Sequence, residues 1–244
     1  MSKQPVRRLR TPHIHNLRDL GGYIGDNGKI VKWNCLYRGG SLHEADEEDW
    51  SILKEAGVTA VMDLRSKAET MQFSYRVPKG ITYIHTPMQR AQINFSRIEE
   101  SAEEAFAKSL KEGYCAMIRE DGDLLAHALH QLTEQLQHGA VLFHCSAGKD
   151  RTGILAAAVL WLCGVESEDI TADYQVSYTY NKKGINLLVS SQYEKLMPMI
   201  RSDAENMENL LEYLEEINLS AYLDERGFPI AEQKMMIRLL QGEG

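Results

Sequence analysis

A continuous apolar strand, followed by a short polar loop and a helix that is apolar on nearly every side, most constrains the fold of this chain. Ala140 to His144 (AVLFH) has the pattern of a buried strand, and Ile154 to Cys163 has no extended polar face. Val58 to Leu64 and Ile81 to Thr86 have the same strand pattern, with helical patterns between them. Strands buried on both faces are typical of parallel sheets covered by helices. We therefore predict an α/β fold with a central, mostly parallel sheet flanked by helices.

The segment before these strands has a weaker pattern. Residues 12–41 contain glycine-rich turns and predict a small N-terminal β addition with a strand at 30–33. Asp46, followed three residues later by Asp49, predicts the start of a helix that ends at Gly57.

The rest of the chain has mainly helical patterns. Residues 89–137 form a long excursion between the second and third core strands, and Ile98–Leu110 within it predicts an amphipathic helix with an acidic outer side. This excursion is either a lid over a pocket or a helical insertion with an ordinary surface helix. An apolar stripe from Met207 to Ile217, and a last helix that has Pro229 in its first turn, predict a helical C-terminal part.

The composition fits one globular domain and excludes several classes of function. The chain has 244 residues, of which 43% are hydrophobic, so we treat 1–244 as a single domain. Its formal net charge of −8 disfavours general binding to nucleic acid or anionic lipid. The longest apolar run is shorter than the roughly 20 residues that span a bilayer, and no secretory signal is visible. We expect a cytoplasmic protein whose four cysteines are reduced, with no metal site and no cofactor.

The loop 144–153 (HCSAGKDRTG) contains the most reactive chemistry of the chain. It joins the C-terminal end of a buried strand to the N-terminus of a buried helix, where open α/β sheets bind their ligands. Successive N–H groups of such a loop can converge on one anion, and the helix dipole adds to their attraction. Because five residues separate Cys145 from Arg151, a thiol and a guanidinium flank the same loop.

A phosphate monoester fits this loop. Its terminal group has close to two negative charges and three acceptor oxygens, and the planar guanidinium of Arg151 can bind two of these oxygens at once. The same positive surroundings favour the thiolate form of Cys145, which predicts in-line attack on phosphorus and a phosphocysteine intermediate. Thr152 is expected to hydrogen-bond the sulfur when it leaves. The predicted substrate-binding positions are Ser146, Ala147, Gly148, Lys149 and Thr152.

Two other anion-binding motifs fit this segment poorly. A nucleotide-binding loop of the G-x-x-x-x-G-K-[ST] type needs Gly at position 143 and Ser or Thr at position 150, where this chain has Phe and Asp. A rhodanese-like sulfurtransferase also uses a cysteine in an anion-binding loop, but the run Arg151-Thr152-Gly153 does not match it.

The string HCSAGKDRTG resembles the H-C-x5-R-[ST] signature of the protein tyrosine phosphatase superfamily, and in its fuller form that of the atypical bacterial tyrosine/serine phosphatases. Three upstream stretches, Asn16–Tyr23, Leu36–Gly40 and Asp63–Ser66, are similar to N-terminal motifs of that family. The resemblance covers about residues 16–165 well and the helical remainder only loosely. It implies a protein tyrosine phosphatase-like fold.

The resemblance also implies roles for individual residues. Cys145 corresponds to the nucleophile, Arg151 to the group that binds the phosphate, and His144 to a support that hydrogen-bonds the loop. Lys149 corresponds to the additional basic contact that is typical of members acting on phosphoinositides.

The leaving group needs a proton, which an acidic side chain has to donate. Conventional family members keep an Asp on a mobile loop before the catalytic strand, but residues 86–95 contain no Asp or Glu. We predict Asp150, the nearest carboxyl in sequence, as acid in the first step and base in the second; the atypical bacterial group is similar in having Asp there. The alternatives are Asp63 and, more weakly, Asp121 and Asp123, for which helix capping is a sufficient explanation.

Further residues have two interpretations each. Asp63 and Arg65 are expected to form a structural pair that supports the loop. Arg18 and Arg38 either reach the site or brace the β segment, and Tyr174 either lines the pocket or packs in the core.

Together these features predict a metal-independent phosphomonoester hydrolase of the protein tyrosine phosphatase type, with additional serine/threonine activity. Its expected ligands are a phosphorylated protein or phosphoinositide, and inorganic phosphate or another oxyanion in the loop. Two alternatives stay open. One is a phosphoinositide phosphatase, which Lys149 favours. The other is a phospho-binding module without turnover, against which the intact Cys145, Asp150 and Arg151 argue.

Overall fold

Five strands form one sheet in the computed structural model of the chain, which describes residues 5–89, 102–185 and 200–242. The strands are β1 Arg18–Asp19, β2 Leu36–Gly39, β3 Val58–Asp63, β4 Thr82–His85 and β5 Ala140–His144. They lie in the order β1-β2-β5-β3-β4, in which β1 runs antiparallel to β2 and every other pair is parallel. The prediction of a mostly parallel α/β sheet is therefore confirmed, and β5 is its central strand.

Helices make up most of the remaining described residues. They are α1 Glu47–Glu55, α2 Lys67–Gln72, α3 Ala102–Leu136, α4 Asp150–Leu162, α5 Ser167–Ile185, α6 Ala204–Glu216, α7 Leu219–Asp224 and α8 Ile230–Gln241. The predicted buried helix (α4) and the helices of the C-terminal part are confirmed, although Pro229 precedes α8 instead of lying in its first turn. Within the described ranges, none of these helices combines the length and the apolar composition that crossing a bilayer requires.

Neighbouring side chains of β5 point to opposite faces of the sheet and enter two separate hydrophobic cores. Val141 and Phe143 pack in the larger core, to which α3 to α8 contribute. Ala140 and Leu142 pack in the smaller core with Leu53 of α1. Burial on both faces explains the continuous apolar sequence of this strand, and it fixes the position from which the loop at 145–149 starts.

Capping side chains determine where the first two helices begin. The Asp46 carboxylate accepts hydrogen bonds from the N–H groups of Glu48 and Asp49, and the Asp49 side chain accepts one from the N–H of Asp46. This capping box confirms the predicted start of α1. Ser66 and Glu69 form the same reciprocal arrangement at the start of α2.

The strand predicted at 30–33 is wrong. Ile30 forms only an isolated bridge to a residue six positions earlier. Val31 exchanges two backbone hydrogen bonds with residues 22–23, but the pairing ends there. The chain then turns at Asn34, whose N–H donates to the carboxylate of Asp19. Asn34 has a φ of 59°, in the left-handed region, and an extended strand cannot continue through it. The N-terminal β addition therefore consists, in the described part of the chain, of β1 and β2.

The helix start expected near Asp121 and Asp123 is confirmed. Two helices meet at a kink within α3, where the backbone of Asp121 (φ −119°, ψ 25°) is non-helical, and the second of them continues from this kink to Leu136. Residues 90–101 lie outside the described residues, as do the side chains of 102–111. The amphipathic face predicted over Ile98–Leu110, and its possible role as a lid, therefore stay predictions.

Candidate active site

The loop at 145–149 lies at the C-terminal end of the central strand. His144, the last residue of β5, pairs with Gly39 at the end of β2 and with Asp63 at the end of β3. The loop therefore starts between two other strand ends, and α4 begins directly after it. This is the crevice in which α/β sheets bind ligands, and Cys145 at the base of the loop is 2% exposed.

Each of the five consecutive loop carbonyls, from Cys145 to Lys149, accepts a hydrogen bond. The carbonyls of Cys145 and Ser146 accept from the His144 ring (3.0 Å) and from the Ser41 N–H (2.9 Å), respectively. The Ala147 carbonyl accepts from Asn16 (3.0 Å) and Asn181 (2.9 Å), and the Gly148 carbonyl accepts from Asn16 (2.9 Å) and Arg38 (3.0 Å). The Lys149 carbonyl accepts from Arg38 (3.4 Å). A planar trans peptide places each carbonyl opposite the N–H of the next residue. The N–H groups of residues 146–150 therefore point away from these donors, toward the inner side of the loop.

Gly148 is the loop position at which a side chain does not fit. Its φ is +66°, in the left-handed region, and a Cβ there would lie 2.3 Å from the carbonyl oxygen of Gly39. This close approach seats the loop on the end of β2, within reach of Arg38.

Arg151 is held by a carboxylate that the sequence did not identify. Its Nη1 and Nη2 donate to the two carboxylate oxygens of Glu69 at 2.6 and 2.8 Å, and Ser146 Oγ donates to the same carboxylate at 2.6 Å. Burial opposes the charge of Arg151, but the hydrogen bonds that Arg151 donates to Glu69, together with the nearby Cys145 sulfur, outweigh it and raise the pKa of Arg151. The guanidinium is therefore both charged and fixed in orientation.

The His144 ring is neutral near pH 7 because burial lowers its pKa to about 4. A neutral ring has one donor and one acceptor nitrogen. Nδ1 donates to the Cys145 carbonyl, so Nε2 accepts from the Tyr75 hydroxyl at 2.5 Å. The predicted supporting role of His144 requires this geometry.

Asp63 and Arg65 form a buried ion pair beside the loop. Nε and Nη2 of Arg65 donate to the two oxygens of Asp63 at 2.9 and 2.7 Å, and the Tyr83 hydroxyl donates to the same carboxylate at 3.2 Å. Burial raises the pKa of Asp63, but the hydrogen bonds from Arg65 outweigh it and the net shift is downward. Arg65 also donates to Ser41 Oγ, and the N–H of Ser41 bonds the loop. These contacts favour a structural role for Asp63 over that of a proton donor.

Two buried arginines share one buried carboxylate behind the loop. Asp173 of α5 accepts from Arg18 Nε at 2.8 Å and from Arg38 Nη1 at 2.6 Å, and all three residues are at most 2% exposed. Burial raises the pKa of Asp173, but the two guanidinium charges outweigh it and hold the pKa at about 2. Arg38 bonds the loop carbonyls directly, and Arg18 bonds Asn16, which does the same. Arg38 therefore contacts the loop directly from its outer side, and Arg18 supports it through Asn16.

The remaining predicted residues lie at the loop's end. Asp150 has a 38% exposed side chain, whose Oδ1 accepts from the Tyr114 hydroxyl at 2.5 Å. The Lys149 side chain is 3% exposed, and its Nζ donates to the carbonyl of Arg201 at 2.8 Å and lies 3.5 Å from Asp150 Oδ1. Thr152 is buried, and within the described chain its Oγ1 has no hydrogen-bond partner, so the bond to the Cys145 sulfur stays a prediction.

Several residues that build this site were missed by the sequence analysis: Glu69, Tyr75, Tyr114, Asp173 and Asn181. Glu69 had a local signature, the S-x-x-E pattern of a capping box, but that pattern does not predict a contact with Arg151. The others follow from tertiary contacts alone.

A second cluster lies at the start of α1. Ligand atoms of His13, Asp46 and Asp49 lie within 4.8 Å of one another, which the histidine spacing did not indicate. The two carboxylates already cap α1, and the His13 ring lies 2.9 Å from Asp49. Helix capping therefore accounts for this group.

Two curated proteins that are similar to this chain are named as phosphatases. A tyrosine-protein phosphatase of Cupriavidus necator is 31% identical over 176 residues, which cover 69% of this chain and 62% of that protein, so the match spans less than two thirds of this relative. The triple specificity protein phosphatase PtpB of Mycobacterium tuberculosis is 31% identical over 196 residues, covering 69% of this chain and 68% of that protein. Among solved structures, the crystal structure of P. aeruginosa TpbA is 14% identical, with a TM-score of 0.45, and the match covers 95% of this chain and 99% of that one.

A family profile described as "Tyrosine phosphatase family" matches residues 9–241, which is nearly the whole chain. The chain therefore belongs to the tyrosine phosphatase family.

Proposed function

We propose that this chain hydrolyses phosphate monoesters through a covalent intermediate on Cys145. Its principal substrate is phosphotyrosine in proteins, with phosphoserine and phosphothreonine as further substrates. The main support is the row of five outward-bonded loop carbonyls, because it turns five N–H groups toward one side of the loop between Cys145 and Arg151. Family membership and the names of the relatives support the choice of a phosphorylated protein.

In the first step the Cys145 thiolate attacks phosphorus in line with the ester oxygen. The S–P bond forms as the P–O ester bond breaks, and Asp150 transfers its proton to the leaving oxygen. The loop N–H groups and Arg151 bind the remaining three oxygens, on which negative charge is spread in the transition state.

In the second step Asp150, now a carboxylate, takes a proton from water as the water oxygen attacks phosphorus. The S–P bond breaks, inorganic phosphate is released, and the sulfur returns as a thiolate that accepts a hydrogen bond from Thr152. All of these steps use the chain's own residues, so we propose that turnover is metal-independent.

A phosphorylated protein is a better-supported substrate than an inositol lipid. Lys149 is the residue that would contact an inositol phosphate, but its Nζ is bonded to the Arg201 carbonyl and lies beside Asp150. Rates on phosphotyrosine peptides and on phosphoinositide vesicles distinguish the two, and a higher kcat/KM on the vesicles would contradict the proposed substrate. The cytoplasmic location stays a prediction from the sequence.

The test of the chemistry is Cys145→Ser, assayed with p-nitrophenyl phosphate in the presence of EDTA. We expect the wild-type chain to turn over under these conditions. The serine variant should lose turnover while inorganic phosphate still raises its melting temperature, because the N–H groups and Arg151 are unchanged. Cys35→Ser, at a half-buried thiol outside the loop, is the matched control and should retain full activity. A fully active Cys145→Ser variant contradicts the proposal.

Asp150→Asn tests the proton donor separately. Nitrophenolate leaves without a proton, whereas the alkoxide of phosphoserine does not. We therefore expect kcat/KM for a phosphoserine peptide to fall much more than kcat/KM for p-nitrophenyl phosphate. Equal losses on the two substrates would remove Asp150 from the acid role and leave the role of Cys145 intact.

A further inference from the structure

Two buried tyrosine hydroxyls stand in a row behind Asp150. Tyr114 of α3 is 2% exposed and Tyr174 of α5 is fully buried. The Tyr114 hydroxyl lies 2.5 Å from Asp150 Oδ1 and 2.8 Å from the Tyr174 hydroxyl, and the two rings pack edge to face. The sequence allowed two positions for Tyr174, in the wall of the pocket or in the core. In the structure Tyr174 packs in the larger core, and its hydroxyl belongs to this row.

The direction of these hydrogen bonds follows from the protonation of the groups. Burial raises the pKa of both tyrosines, so each hydroxyl keeps its proton throughout the working pH range. A carboxylate can only accept, so Tyr114 donates to Asp150. The single proton of Tyr114 is then used, and Tyr174 must donate to Tyr114.

This row makes the two oxygens of Asp150 inequivalent. Oδ1 accepts from Tyr114 and also lies 3.5 Å from the Lys149 ammonium. Both described contacts of the carboxylate therefore use the same oxygen, and they fix the rotation of the carboxyl group. When Asp150 is protonated, the proton is therefore carried by Oδ2.

We propose that Tyr114 and Tyr174 are positioning residues for Asp150, which orient its carboxyl group so that Oδ2 exchanges the proton with the leaving oxygen and then with water. This inference rests on the proposed function, and specifically on Asp150 as the acid. It also gives α3, which lies within the 89–137 excursion, a role in the reaction, because Tyr114 of α3 supplies the first hydroxyl of the row.

The test is Tyr114→Phe, which removes one hydroxyl and keeps the ring. kcat/KM reports only the steps up to phosphoryl transfer, so it isolates the acid step. We expect kcat/KM for a phosphoserine peptide to fall about tenfold, the equivalent of one hydrogen bond to a charged group. For p-nitrophenyl phosphate we expect less than about a twofold change, because its leaving group needs no proton.

Tyr174→Phe removes the second hydroxyl. It should also lower kcat/KM more for the phosphoserine peptide than for p-nitrophenyl phosphate, but by a smaller factor than Tyr114→Phe. This variant also tests the inference if Tyr114→Phe does not fold. Tyr222→Phe is the matched control, because the Tyr222 hydroxyl donates to the Ile118 carbonyl of the same helix α3. It should leave the ratio of the two kcat/KM values unchanged.

A double variant separates positioning from a general structural effect. In an Asp150→Asn background, Tyr114→Phe should have no further effect on the ratio of the two substrates, since the group that it positions is gone. An equal loss on both substrates, no loss on either, or an undiminished effect in the Asn background would each overturn the inference. None of these results bears on Cys145, whose serine variant tests the proposed function independently.

Discussion

Asp173→Asn is the change that most directly perturbs the support of the loop without touching the loop. The side chain keeps its shape and loses its charge. Two guanidinium groups, on Arg18 and Arg38, then stay buried without the carboxylate that both contact at less than 3 Å.

The structure gives two ways to estimate the loss. The pKa of Asp173 is lowered from 3.8 to about 2, which corresponds to about 2 kcal/mol in favour of the ionised form over a neutral one. Removing one member of a buried ion pair costs about 3–5 kcal/mol, because the remaining charge is left uncompensated. Since asparagine keeps one acceptor oxygen, we expect a loss of about 3 kcal/mol in the free energy of unfolding.

Urea denaturation at pH 7, followed by far-UV circular dichroism, measures this loss as a lower midpoint with an unchanged slope. The matched control is Asp169→Asn, at an exposed position in the first turn of the same helix, which should change stability by no more than about 0.5 kcal/mol. Because Arg38 bonds two loop carbonyls, kcat/KM should fall as well. A loss below about 1 kcal/mol would refute the assignment of Asp173 as the counter-charge that holds both arginines.

Three further predictions concern the loop and its neighbours. Unfolded chains bind a proton at His144 below about pH 6.5 and the folded chain only below about 4, so stability should fall by about 3 kcal/mol as pH drops through that window. Denaturation curves of His144→Asn should lack this part of the pH dependence, and an identical pH dependence would contradict it. Glu69→Gln removes the charge that orients the loop arginine and should lower kcat/KM for an aryl phosphate about tenfold or more; an unchanged rate argues against this role. Gly148→Ala should abolish phosphate binding, because its Cβ meets Gly39, whereas Gly80→Ala, at a φ of +93° with open space around it, should not; equal binding in both variants would refute this.

The sequence predicted those elements of the fold that depend only on neighbouring residues. The AVLFH run gives β5 with both of its bounds, and Asp46 with Asp49 gives the start of α1, because a buried strand and a capping box each need only neighbouring residues. The strand expected at 30–33 failed because the turn preferences of Asn34 and the carboxylate of Asp19 organise that backbone instead.

The site was predictable only where it is contiguous in sequence. The loop itself could be interpreted because its strand, thiol, glycine and guanidinium follow one another. The residues that support the loop could not be predicted, because they are distant in sequence from their partners. Asn16 bonds the loop, Glu69 bonds Arg151 and Asp173 bonds Arg18, and the partners lie 82 to 155 positions apart. Such contacts depend on strand order and helix packing, and no local pattern in one sequence specifies them.

The central claim is that phosphate passes through the sulfur of Cys145, and trapping that intermediate tests it most directly. The wild-type chain is mixed with an aryl phosphate, quenched in denaturant within the first turnover, and digested for mass spectrometry. We expect one phosphoryl group on the peptide that contains the HCSAGK segment, located on Cys145 and absent from Cys145→Ser. A phosphoryl group on Ser146, or product released in the first turnover with no modified peptide at any quench time, would contradict it.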